Sequence, residues 1–495
     1  MLIRQTILYA PAQIFGPLSQ FVGAVLWTHW LAPESYGVLT FVLAAQELVF
    51  LISLAWWSQF TIRYVGAFDD DARRSLYLRA EGLVLVVAAL AQTLLALAML
   101  LAVAPHFSPW LALATVAFSV TRSATAHLSE RARAHAQIGI YTVAQTAGPI
   151  FGFALAFIFV ATLSPIPEAA LFGLAAPQAI ALAWLWRRLG VVVEINAFEP
   201  ELISKALHFG LPLVAAGAIA WVGANSIRVI VQYMDSPEAM GLVAVGWGLG
   251  QRLAAAVAML VTAAAFPLAV QHMHAGDRKG ALMQLSSSGA LLFAVLAPAT
   301  AGLVIIAPKL VNLAIAESFR PITLAVLPIS AIAGGVRNMR VHFADQSTLL
   351  FERTDLTIFV NALEAVMVIV GCFVGLRLQG LVGAAEGACV GLTIGVIFSF
   401  GMARKKFGLI VPFARMARIC LATAAMVAVL LWSPWEAALA GHRVIGLLVQ
   451  IAVGAIVYLA AMAALHPAQL HALAKPGLLW SGRKSRDAIS RVETR

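Results

Sequence analysis

AMGLVAVGWGLGQRLAAAVAMLVTAAAFPLAVQ, Ala239 to Gln271, decides the fold class. Arg252 is its only formally charged residue. A helix needs roughly 20 apolar residues to cross a bilayer, and this stretch has them. An arginine at the centre of such a helix costs about 2.5 to 3.5 kcal/mol on insertion scales. A charge kept at that cost has a partner or a task, and the rest of the chain must supply it.

The same apolar pattern recurs throughout. Of 495 residues, 61% are hydrophobic and 11% charged, against about 25% charged in a soluble domain. Mean hydropathy is +0.90. The chain reads as an all-α polytopic membrane protein with about fourteen spans, near 7–31, 37–62, 80–104, 109–128, 139–163, 168–186, 208–233, 240–268, 282–306, 321–345, 355–377, 380–403, 415–432 and 443–464. The segment at 321–345 is the weakest of these, because it carries Arg337, Arg340 and Asp345. Arg4 precedes an apolar run with no small-residue cleavage signal, so the first segment reads as a span rather than a removed leader.

Charge placement orients the spans. With the N-terminus cytoplasmic and an even span count, the basic residues collect on one side, among them Arg63, Arg73, Arg74, Arg131, Arg133 and Arg404 to Lys406. The opposite loops hold Lys309, Arg320, Arg377 and Arg443. That is the positive-inside pattern. It accounts for the net charge of +10 without a nucleic-acid partner, since the basic residues are dispersed. Cys372, Cys389 and Cys420 show no CxxC spacing, so they read as small buried hydrophobes rather than metal ligands or a disulfide framework.

The chain also repeats itself. APESYGVLTF (Ala32 to Phe41) and SPEAMGLVAV (Ser236 to Val245) share P-E-x-x-G before an apolar run, at an offset of 204. Each follows a span with an early proline, Pro11 or Pro212, and precedes a span ending in a mixed-charge loop, DDDARRS or GDRKG. Halves six spans apart share one orientation, so they are parallel repeats about an axis along the membrane normal. The expected layout is a six-helix bundle (1–190), a cytoplasmic linker (191–207), a second six-helix bundle (208–405), two extra helices (406–465) and a basic tail (466–495).

This arrangement resembles the multidrug/oligosaccharidyl-lipid/polysaccharide exporter superfamily, and within it the Wzx-type polysaccharide flippases. The residues that carry the likeness are LAPESYGVLTFVLAAQELVFLI (Leu31 to Ile52), SQFTIRYV (Ser58 to Val65) and AAAFPLAV (Ala263 to Val270). The resemblance implies two bundles around a central cavity lined mainly by spans one, two, seven and eight, working by alternating access. It implies an undecaprenyl-pyrophosphate-linked oligosaccharide as cargo, moved across the inner membrane for capsule, exopolysaccharide or lipopolysaccharide synthesis. A polysaccharide polymerase and chain-length machinery are the partners such a cargo suggests. No cofactor is expected.

Candidate site residues follow from the charges within spans. Gln251-Arg252-Leu253 matches Gln46-Glu47-Leu48 at an offset of 205, which sets Arg252 and Glu47 across the cavity. Arg252 is then a fixed cation for a pyrophosphate, or half of a structural pair with Glu47. In span seven, Trp221, Asn225, Arg228 and Gln232 follow i, i+4, i+7, i+11 and share one helical face. Arg228 either lines the cavity or snorkels to the interface. Arg63 is a phosphate contact at the entry mouth or an ordinary anchor. Arg337 and Glu364 are expected to form a structural ion pair between neighbouring helices. Arg122 and Glu386 have no assignable role from the sequence. Pro11, Gly16, Pro17, Gly210 and Pro212 are candidate bending points.

The chain has no G-x-x-x-x-G-K-[ST], no metal-ligand cluster and no loop large enough for a catalytic domain. A secondary-type transporter is therefore expected rather than a glycosyltransferase or polymerase. Two rivals share the fold: a cation-coupled drug exporter, which would favour cavity carboxylates, and a lipid II flippase, whose cargo is also an anionic pyrophosphate lipid.

Overall fold

The computed structural model describes residues 19, 21–65, 71–103, 107–194, 199–432 and 441–465. Among them no strand occurs. The helices are α1 (described over 21–30), α2 (Pro33–Tyr64), α3 (Asp71–Val103), α4 (Pro109–Ala134), α5 (Ile138–Thr162), α6 (Pro167–Leu189), α7 (Pro200–Met234), α8 (Pro237–His274) and α9 (Arg278–Ala314). Next comes α10, which runs from Arg320 through a π turn (Arg340–Ala344) to Leu350. The run Thr354–Phe407 bends at Gln379 and Gly380, whose φ of +65° breaks it into α11 (354–378) and α12 (381–407). Helices α13 (Phe413–Trp432) and α14 (Arg443–Leu465) follow.

Local chemistry sets the ends. Pro33, Pro109, Pro167, Pro200 and Pro237 each open a helix, where a missing N–H costs nothing. Ser108, Ser236 and Asp277 cap the next helix through its backbone N–H at 3.0, 3.1 and 2.8 Å. Gly190 and Gly408 end α6 and α12 in the left-handed conformation, with φ of +63° and +76°.

Eleven described helices are long and apolar enough to cross a membrane, the bent 354–407 run counting as one. Helix α4 is not among them, because it carries Arg122, Glu130, Arg131 and Arg133 with several Ser and Thr. The segment at 321–345 proves to be a full span extended to Leu350, with Arg340 and Asp345 buried and Arg337 partly so. Pro11, Gly16 and Pro17, parts of the DDDARRS loop and the linker, and the tail 466–495 lie outside the described residues.

The repeated P-E-x-x-G is a helix crossing. A Cβ built on Gly37 of α2 would lie 2.0 Å from the Pro237 carbonyl oxygen, and one on Gly241 of α8 would lie 2.0 Å from that of Pro33. The two contacts exchange under a two-fold operation, so the pseudo-axis relating the halves passes between these glycines. Only a residue without Cβ permits this approach. Counted from the crossing through unbroken α-helix, Glu47 falls opposite Gln251 and Arg252 opposite Leu48. The 205-residue match by identity is therefore one residue out of structural register.

The molecule is two six-helix bundles about this axis, plus two C-terminal helices. One apolar cluster runs across both halves through Tyr36, Leu39, Met240, Val243 and Phe319. Separate clusters fill the interior of each bundle. Helices α13 and α14 pack on each other and on α9. Within the second bundle α11 and α12 meet through facing glycines: a Cβ on Gly371 would be 2.2 Å from the Gly387 carbonyl oxygen, and one on Gly375 1.9 Å from that of Gly383.

Candidate functional site

A membrane-buried cavity of about 170 Å³ gathers four of the charges the spans carry. Glu47 of α2, Arg122 of α4, Arg228 of α7 and Arg252 of α8 all line it. The charges of Arg122, Arg228 and Arg252 all act on Glu47. Three guanidiniums against one carboxylate leave an excess of positive charge in a space with little water to screen it.

Helix α7 presents its polar stripe to the other half. Trp221 Nε1 donates to the Ala44 carbonyl oxygen of α2 at 3.1 Å. Asn225, 5% exposed, does not line the cavity itself; its Oδ1 accepts from Arg228 Nη1 and so aims the guanidinium. Arg228 Nε is buried and has no hydrogen-bond partner. An orphaned donor on a charged group is expensive, and an anion in the cavity would satisfy it.

The remaining lining is uncharged. Trp27 comes from α1, Phe118 from α4, Phe153 from α5 and Gln178 from α6, while Gln46 of α2 donates to Ser123 Oγ at 3.1 Å. The cavity thus lies mostly within the first bundle, with Arg228, Ala244 and Arg252 reaching in from the second. The first, second, seventh and eighth spans supply most of the lining, as expected, and α4, α5 and α6 supply the other third. The bias towards the first bundle follows from the tight seam between halves. The α2–α8 crossing closes one end, and α7 packs along α2, with Gly210 against Trp56 and Tyr64 edge-on to Phe209 at 5.3 Å.

Besides Asn225, two predicted residues fall outside. Gln251 turns to α10, where its Nε2 is 3.5 Å from the Ser330 carbonyl oxygen. Arg63 is exposed at the far end of α2, beside an open surface pocket lined by Tyr64, Lys205 and His208. Arg122 was the residue that sequence reasoning passed over.

Two other buried charge clusters lie away from the cavity. Arg337 Nε stands 3.6 Å from Glu364 Oε1, but Arg340 is the nearer partner. Its Nη1 is 2.9 Å from Glu364 Oε2, its Nε 3.2 Å from Asp345 Oδ2 and its Nη2 2.7 Å from Asn361 Oδ1. Two cations and two carboxylates balance there. In the first bundle Glu81 and His127, each 0% exposed, meet at 3.0 Å, with Tyr77 and Arg131 also donating to Glu81. Arg131, expected as a loop charge, is instead 4% exposed and also donates to the Leu189 carbonyl oxygen at 2.8 Å.

Helix α8 also borders a third feature. An apolar cleft of about 530 Å³ opens between α8, α9, α13 and α14, and Gly250 and Leu253, flanking Arg252 in sequence, form part of its wall.

A family profile described as "Polysaccharide biosynthesis protein" matches residues 2–273. Among solved structures, the chain is similar to lipid II flippase MurJ in an inward closed conformation. There the TM-score is 0.74 at 11% identity, covering 94% of this chain and 100% of that one. It is also similar to an inward-facing multidrug resistance MATE family transporter of the MOP superfamily, with TM-score 0.62, 15% identity, and 81% and 98% covered. A third is the Vibrio cholerae MATE transporter VcmN in its bent form, with TM-score 0.52, 14% identity, and 82% and 96% covered. No curated protein matches the sequence.

Proposed function

Because the chain belongs to the polysaccharide biosynthesis protein family and carries the fold of transporters of the multidrug/oligosaccharidyl-lipid/polysaccharide superfamily, we propose that it flips an undecaprenyl-pyrophosphate-linked oligosaccharide. In this reading the N-terminus is cytoplasmic, the membrane is the bacterial inner membrane, and the repeat unit moves to the periplasmic leaflet for surface polysaccharide assembly.

The observation that carries this reading is the set of three arginines facing one carboxylate in a membrane-buried cavity. Guanidinium forks match phosphate oxygens and stay charged when buried. A pyrophosphate brings the negative charge that the set lacks. Arg228, with its Nε unpartnered, has a donor to give. The apolar cleft beside α8 suits the hydrocarbon part of the same molecule. A cationic drug would meet like charge here, which disfavours the drug-exporter reading. A lipid II flippase uses the same chemistry and differs only in the glycan.

Deletion separates these readings. Cells lacking the protein should accumulate an intact undecaprenyl-pyrophosphate-linked repeat unit on the cytoplasmic face and lose the matching surface polysaccharide, as lipid extraction and mass spectrometry would show. Accumulation of lipid II instead would move the cargo to peptidoglycan. Normal levels of every lipid intermediate would contradict the flippase reading.

A further inference from the structure

The uncharged wall of the cavity holds two buried polar atoms that the protein leaves unused. Trp27 is 2% exposed and Gln178 4% exposed, and both line the cavity. Trp27 Nε1, a donor, and Gln178 Oε1, an acceptor, have no hydrogen-bond partner. Buried polar groups are nearly always paired, so an orphan donor and an orphan acceptor among the lining of one cavity need an explanation. Trp27 is not loosely held: its ring stacks on Phe157 at 4.3 Å between centroids. Gln178 is anchored as well, since Thr125 donates to its backbone carbonyl at 3.3 Å. Thr125 lies one turn beyond Arg122 on α4, so the Gln178 backbone is held against the helix that carries Arg122.

We propose that Trp27 and Gln178 form a sugar-reading subsite, taking the hydroxyl groups of the sugar next to the diphosphate. The inference rests on the flippase reading above and deepens it. A hydroxyl group is donor and acceptor at once, so one sugar ring can satisfy both orphans. A polyprenyl chain can satisfy neither, and a phosphate accepts but does not give Gln178 Oε1 a proton. The aromatic rings of Trp27 and Phe153 offer apolar surface to the C–H faces of the same ring. The arginines then hold what all such carriers share, and this wall reads what differs between them. A site built to hydrogen-bond a hydroxyl discriminates strongly against a ligand that lacks it.

The test is binding to the full-length protein in nanodiscs with two probes. One is undecaprenyl diphosphate without sugar; the other is the undecaprenyl-diphosphate-linked glycan extracted from cells lacking this protein. Trp27→Phe keeps the ring and removes the N–H, and Gln178→Met keeps the length and removes the amide. The wild type should prefer the glycan probe by about tenfold or more. Each variant should lose about fivefold or more of that preference and bind the bare diphosphate as the wild type does. Three results would overturn the proposal: a wild type with no preference, variants that keep the full preference, or variants that weaken both probes equally, which marks a structural role. A wild type that binds neither probe would overturn the flippase reading itself and this inference with it.

Discussion

Arg252 shares its cavity with Arg122, Arg228 and Glu47, and that company explains a charge the membrane would otherwise reject. Arg252, Arg228 and Glu47 were legible in the sequence because each interrupts an apolar run. Arg122 was not, because α4 is polar along much of its length and an arginine does not stand out there. Trp27, Phe153 and Gln178 were invisible for the opposite reason: aromatic and amide residues inside spans look like ordinary packing. The Arg337–Glu364 pairing was readable from depth alone, but depth could not show that Arg340, 2% exposed, sits between Glu364 and Asp345. Removing one partner of a buried ionic group costs roughly 3–5 kcal/mol, because the other charge stays buried. Arg340→Ala should therefore sharply reduce the amount of folded protein in the membrane, and Arg337→Ala should do so less, since Arg337 is 25% exposed and lies farther from Glu364. Quantifying detergent-extracted, monodisperse protein checks this; equal yields for both variants and wild type would contradict the role assigned to Arg340.

At the scale of the helices, glycine decides where the chain can fold against itself. The P-E-x-x-G repeat was found in the sequence as a matching pattern, and the structure supplies its cause. Proline opens each helix, and glycine lets α2 and α8 cross with no side chain between them. The α11–α12 glycines went unread, although their four-residue spacing is the usual mark of close packing between membrane helices. Replacing Gly241 with leucine places a branched side chain where the Pro33 carbonyl now sits, so that end of the molecule cannot close. Ala244, 4% exposed and on the cavity wall one turn further along, reports the change. A cysteine at 244 should react slowly with a membrane-impermeant thiol reagent added outside cells, and several times faster when Gly241→Leu is added. An unchanged rate would mean that the crossing does not seal the cavity on that side.

Across the whole molecule, the number and order of spans, the parallel repeat and the two extra helices could be read from hydropathy, charge asymmetry and one recurring motif. These are properties of whole segments, and the bilayer imposes them directly. The helices expected to line the cavity supply most of its wall, but the share taken by α4, α5 and α6 is a property of how segments pack and was not readable: a close α2–α7–α8 seam biases the space towards the first bundle. The result is an asymmetric site on a symmetric scaffold, with the first bundle supplying most of the wall and the second supplying two of the three arginines. The central claim is that these arginines carry a lipid-linked pyrophosphate across the membrane. The most direct test is a reconstituted assay. Proteoliposomes loaded with the undecaprenyl-diphosphate-linked glycan would be followed by the rate at which the glycan becomes exposed to an added glycosidase. The wild type should expose it faster than protein-free vesicles, and Arg252→Ala should slow it about tenfold or more, the loss of one or more charge-assisted hydrogen bonds. A wild-type rate no faster than that of empty vesicles, or an Arg252→Ala rate equal to wild type, would contradict the account.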